Sequence, residues 1–216
     1  MRPDGTAFGV LFDSFWKAEL ITNSDKIEFN TEGAPFRTYI IDRESPQAVL
    51  KGLAELTGTI SMPPRWAIGY HQSRFSYVPE ARVKEVANTF REKKIPCDVI
   101  WFDMDEFRVF TINDRDFPDP KRMNKYLHDN GFHSVYMIDP GVKVDDNYFV
   151  YKTGKEQNAF VCDIYRNEFH GKVWPGACAF PDFTRPETRT WWSGLYKDFM
   201  AQGVDGVWND VNEPQV

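Results

Sequence analysis

The chain has 216 residues, enough for one large domain or one and a half ordinary ones, and its 42% hydrophobic and 27% charged residues are those of a globular protein. A net charge of -6 disfavours a nucleic-acid partner, because phosphate binding needs a positive face. No apolar run is long enough to span a bilayer, so no membrane association is expected. Aromatic residues are abundant at 16%, which suits a sugar or nucleobase site as well as ordinary core packing.

Residues 7–41 contain four short apolar or alternating runs: 7–12, 17–21, 26–29 and 37–41. They read as strands, with a turn at Gly33-Ala34-Pro35. Four such strands bury little on their own. A helix follows, with Ser45 as N-cap, Pro46 at its first position, an apolar face of Val49, Leu50, Leu53 and Leu56, and Gly58 as its end. Met62-Pro63-Pro64 is a stiff connection and sets the expected boundary, with residues 1–60 on one side and 61–216 on the other.

Strand–helix units then repeat. The expected strands are Trp66–His71, Asp98–Phe102, His133–Ile138 and Val204–Trp208. The expected helices cover 79–93, then Asp119 to Gly131, then a third opened by a capping box of Thr184 and Glu187. Residues 141–175 show no helical period and read as an inserted loop or hairpin. This alternation predicts an α/β fold with a parallel sheet, either open and doubly wound or closed as a (β/α)8 barrel. The absence of a glycine-rich loop after the first strand disfavours dinucleotide binding. Cys97, Cys162 and Cys178 are odd in number and lack Cys-x-x-Cys spacing. They read as free thiols and not as a disulfide framework or zinc site. With no signal-like segment at Met1–Gly5, they favour a reducing, cytoplasmic compartment.

Every expected strand ends in polar residues: His71-Gln72-Ser73-Arg74, Asp103-Met104-Asp105-Glu106, Asp139-Pro140-Gly141 and Asp210-Val211-Asn212-Glu213. In parallel α/β folds such ends share one face, which holds the site. Asp103-Met104-Asp105 fits a magnesium-dependent phosphatase nucleophile, a metal-binding glycosyltransferase motif, or two hydrogen-bonded loop acids. The neighbouring Trp101, Phe107, Phe110 and Phe117 favour a sugar over a phosphate. Trp174 lies in a Pro-Gly-bounded loop, where it could stack on a pyranose or plug the core edge.

Taken together, these segments resemble glycoside hydrolase family 31, the α-glucosidase family. The resemblance is carried by Met62–His71, by Ile95–Asp105, by Asp116–Pro120, by Met137–Gly141, by Gly171–Gly176 with Phe180–Phe183, and by Trp208-Asn209-Asp210-Val211-Asn212-Glu213-Pro214. It implies the tail of a β-sandwich domain followed by the first four units of a (β/α)8 barrel. It also implies a retaining mechanism, in which a carboxylate forms a glycosyl-enzyme and an acid/base serves the leaving group and then water.

By that resemblance Asp210 is the nucleophile, Glu213 a supporting acid, and Asp103 a ligand of sugar hydroxyls. Trp174 and Trp208 are aromatic walls, Phe75 stands where an aromatic is expected, and Met104, Met137 and Val211 line the pocket. The implied partner is an α-glucoside, and the chemistry implied needs no metal or other cofactor. The acid/base and further subsite residues are expected on strands beyond Val216, and one more acid ahead of Met1, so that residues 1–216 alone are expected to be inactive. Glu106-Phe107 replace a usual Tyr-Met, and Val211 replaces a usual Met. Related alternatives are an α-xylosidase, an α-glucan lyase and a sugar-binding pseudoenzyme; Glu213 after Asn212 favours hydrolase over lyase.

Overall fold

The computed structural model describes residues 4–103 and 108–210, in two compact units, Met1–Met62 and Pro63–Val216.

In the first unit β1 (Ala7–Asp13) pairs antiparallel with β4 (Arg37–Arg43), and β2 (Ala18–Thr22) with β3 (Ile27–Thr31). Phe12 of β1 stacks on Phe29 of β3 at 4.1 Å, and Phe36 meets both rings edge-on. Helix α1 (Pro46–Thr57) begins as its sequence demands, with the Ser45 side chain accepting the Ala48 N–H. The expected apolar face is corrected in part. Leu50 and Leu56 are exposed, and the helix turns Gly52 inward. A Cβ at Gly52 would stand 2.7 Å from Ile41 Cγ2, so the missing side chain lets α1 lie close on the β1–β4 pair.

The second unit holds a four-stranded parallel sheet in the order β11-β7-β6-β5. Its strands are β5 (His71–Gln72), β6 (Val99–Phe102), β7 (His133–Ile138) and β11 (Gly206–Asn209). Helices α2 (Glu80–Glu92), α3 (Pro120–Asp129) and α5 (Pro186–Met200) follow β5, β6 and the excursion after β7. One sheet face, carrying Ile100, Phe102, Tyr136 and Ile138, packs with Val83, Ala87, Met123, Leu127 and Phe199 of those helices into the core. Phe102 stacks on Tyr136 at 4.4 Å, and burial pushes the Tyr136 hydroxyl's pKa well up despite its bond to Asn124.

Three expectations fail here. The expected strand Trp66–His71 is a 3-10 turn over Arg65–Ile68, and pairing begins only at His71. Asp98 explains the shift. Its carboxylate accepts the Tyr70 N–H, its own N–H donates to the Tyr70 carbonyl, and a Cβ on Gly69 would collide with it at 2.1 Å. The chain must bend past that carboxylate before it can run parallel to β6.

The capping box does not form either. Thr184 gives both its N–H and its hydroxyl to Asp182, and α5 starts at Pro186 with no side-chain cap. Finally, the stretch 141–175 contains a helix, α4 (Phe149–Glu156). It buries Val150, Tyr151 and Gly154, a contact stripe too short to announce a period. The remainder is a three-stranded antiparallel sheet in the order β8-β10-β9: β8 (Val142–Lys143), β9 (His170–Val173) and β10 (Gly176–Ala179).

Candidate active site

Side chains alternate across a sheet, and the registers of the parallel strands decide which ones share a face. Trp101 pairs with Val135 and Gly206 with Val135, while Trp208 pairs with Met137. Trp101, Val135, Met137 and Trp208 therefore lie on the face away from the helices. The alternation carried one step past each strand assigns Asp103, Asp139 and Asp210 to that same face, at its C-terminal edge. They follow β6, β7 and β11, which are neighbours. Backbones of the outer two strands are roughly 9–10 Å apart at ordinary sheet spacing.

Asp210 is half-buried and still held in the sheet, because its N–H donates to the Ile138 carbonyl at 3.0 Å. Behind it Trp208, 37% exposed, meets Trp101 edge-on at 5.5 Å. Trp101 in turn donates its indole N–H to His71 Nδ1 at 3.0 Å. That bond fixes the His71 tautomer, with the remaining proton on Nε2, and orients the aromatic floor. The loop after β5 is tied to the same edge by Ser76, whose hydroxyl donates to the Asp103 carbonyl at 2.7 Å. Phe75, the residue before it, is exposed.

Trp174 arrives by a different route. Asp139-Pro140-Gly141 leads straight into β8, which pairs with β10, and β10 pairs with β9 through the turn containing Trp174 and Pro175. Val173 packs on Gly141 so closely that a Cβ there would stand 2.7 Å from Val173 Cγ2. The hairpin is thus anchored beside Asp139, and Trp174 projects from it 69% exposed, which rules out the core-plug reading. Cys178, across the hairpin, is buried; burial first and the Asp139 charge second push its thiol up to about 12.

Of the residues expected at the site, Asp103, Asp210, Trp208 and Met137 share the C-terminal edge and face. Phe75 and Trp174 stand on loops rooted at that edge. Met104, Val211 and Glu213, with Asp105 and Glu106, lie outside the described residues. His71 was absent from the sequence-derived site because its role depends on a partner thirty positions away.

Residues 60–216 match the model of the glycosyl hydrolases family 31 TIM-barrel domain. The chain belongs to glycosyl hydrolase family 31. The parallel sheet is accordingly part of a (β/α)8 barrel, and its helix-free face is the barrel's inner surface. The open doubly wound alternative is excluded. The chain is 41% identical to α-glucosidase 2 of Bacillus thermoamyloliquefaciens over 99% of its own length and 28% of that protein's. It superposes with a TM-score of 0.92 on a family 31 α-glucosidase from Bacteroides thetaiotaomicron, at 64% identity, covering 100% of this chain and 37% of that one. A family 31 dextranase from Flavobacterium johnsoniae, solved with isomaltotriose, gives 0.84 at 29% identity, with 94% and 26% covered. The chain thus spans between about a quarter and two fifths of these relatives.

Proposed function

We propose that these residues form the nucleophile-bearing half of the active face of a retaining α-glucosidase, which releases terminal α-linked glucose from oligosaccharides or glucans. The observation that carries the reading is Asp210. It is a half-buried carboxylate at a barrel strand's C-terminal end, backed by the Trp208–Trp101 pair and flanked two strands away by Asp103. Attack by its carboxylate on the anomeric carbon would break the glycosidic C–O bond and form a glycosyl-enzyme, with the departing oxygen protonated by a separate acid/base carboxyl. That group would then deprotonate the water that releases glucose with the configuration retained.

In this reading Asp103 holds sugar hydroxyls, Trp208 and Met137 line the wall, and Trp174 and Phe75 close over the sugar from their loops. Met104 and Val211 complete the lining, and Glu213 supports the nucleophile electrostatically. The domain reading is the close of a β-sandwich in residues 1–60 and four barrel units in 61–216. The similarity to named α-glucosidases supports the substrate class.

The test is trapping of the intermediate in the full-length protein. A 5-fluoro-α-glucosyl fluoride should label the peptide containing Asp210 stoichiometrically. Asp210→Asn should abolish labelling and lower turnover of p-nitrophenyl α-glucoside by about a thousandfold or more. A label on any other carboxylate would overturn the assignment.

A further inference from the structure

At the opposite, N-terminal edge of the same sheet three potential metal ligands meet. His128 lies in the last turn of α3, His133 is the first residue of β7, and Asp205 immediately precedes β11. His128 Nε2 lies 2.7 Å from Asp205 Oδ2, and His133 Nδ1 lies 3.1 Å from Oδ1. The donor atoms of all three lie within 4.8 Å of one another. We propose that His128, His133 and Asp205 form a binding site for one divalent transition-metal ion, zinc by preference, which staples α3, β7 and β11 together.

Two imidazole nitrogens and one carboxylate oxygen are a three-ligand set that zinc accepts, with water in the fourth position. Ligand atoms around a tetrahedral zinc lie about 3.3 Å apart, given metal–nitrogen distances of about 2.0–2.1 Å. Movements on the order of 1 Å would bring the three to that geometry. His133 Nδ1 carries the argument beyond a hydrogen-bonded cluster. This nitrogen is buried and lies 3.1 Å from Oδ1, yet it has no hydrogen-bond partner, so it is left for another ligand.

The surroundings already hold the ligands in place, as outer partners do in metal sites. The buried Ser134 gives its N–H to Asp205 Oδ2 at 2.9 Å. Trp66 lies flat on the His133 ring at 4.4 Å, which finds a use for the 3-10 turn that replaced the expected strand. The His128 side chain is 38% exposed, which leaves solvent access for the ion and its water.

The site lies at the far end of the sheet from Asp103 and Asp210 and takes no part in glycoside chemistry, so its test does not use activity. The chelator-stripped protein should bind one cobalt(II) per chain, with the intense visible bands of tetrahedral coordination. At a hundredfold excess of zinc over Kd, Tm should rise by roughly 5–10 °C. His128→Gln, exposed and able to keep a hydrogen bond to Asp205, should weaken binding at least about tenfold, as should His133→Gln. Cys162→Ser, which removes the exposed thiol, should change nothing. Absence of cobalt bands in the unmutated protein, or a zinc-induced Tm shift that survives His128→Gln, would overturn the proposal.

Discussion

Asp205 and Asp210 stand at opposite ends of β11, and their surroundings give them different work. Asp205 accepts the Ser134 N–H, and the rings of His128 and His133 stand against its two carboxylate oxygens. Burial alone would raise its carboxyl, but the Ser134 N–H, His128 and His133 outweigh that and hold it below the ordinary carboxylate range. A carboxyl depressed in the folded state adds stability that is complete above its unfolded value of about 3.9. That stability is lost as pH falls through the lower folded value. Asp205→Asn should therefore cost about 1–3 kcal/mol at pH 7, and the loss should shrink as the pH is lowered below 4. Urea unfolding of both proteins at pH 7 and pH 3 measures this; a difference independent of pH would contradict it. Asp210 is held by its backbone N–H on the Ile138 carbonyl and follows Trp208 of the Trp208–Trp101 pair, a setting that suits the nucleophile proposed for it.

Elements differ in how much of their reason is local. Helix α3 is written in its own sequence: Asp119 accepts the Arg122 N–H, Pro120 occupies the first turn, and Gly131 leaves it at φ 73°. Helix α5 has an equally suggestive Thr184 and Glu187, but Asp182 captures Thr184 first. What holds α5 is packing of Trp191, Trp192 and Phe199, all at most 8% exposed. The contrast is measurable. Asp119→Ala should lower stability by about 1 kcal/mol through loss of a cap, read as a shifted denaturation midpoint with unchanged slope. Thr184→Ala should cost less than half as much, because only an exposed turn loosens. Equal losses would restore the capping box. Helix α4 lies at the other extreme: eight residues, uncapped, formed because Tyr151 and Gly154 pack on Phe160. A local reading misses such a helix, because part of what holds it is distant: Trp191 of α5 donates to Thr153 and packs against Gly154.

At the scale of the whole molecule, what was legible followed from period and punctuation. Three of the four parallel strands, β6, β7 and β11, and the helices α2, α3 and α5 stood in the sequence as apolar runs set off by turn and cap signals. The convergence of Asp103, Asp139 and Asp210 followed from parallel topology alone. What needed three dimensions was any feature set by a distant partner: the late start of β5, the His71–Trp101 bond, the anchoring of Trp174 beside Asp139, and the meeting of His128, His133 and Asp205. The cysteines test the assembled whole in one measurement. Cys97 and Cys178 are buried in different parts of the second unit, the first in the segment between α2 and β6, the second in the hairpin beside Gly141. Burial raises both thiols' pKa values, leaving little thiolate at neutral pH, whereas Cys162 is exposed. A disulfide-exchange reagent at pH 8 should therefore modify one thiol per native chain quickly and all three after unfolding in guanidinium. Cys162→Ser should remove the fast phase entirely. Because the two protected thiols report on separate contacts, fast modification of Cys178 alone would show the hairpin that carries Trp174 detached from Gly141 and β8.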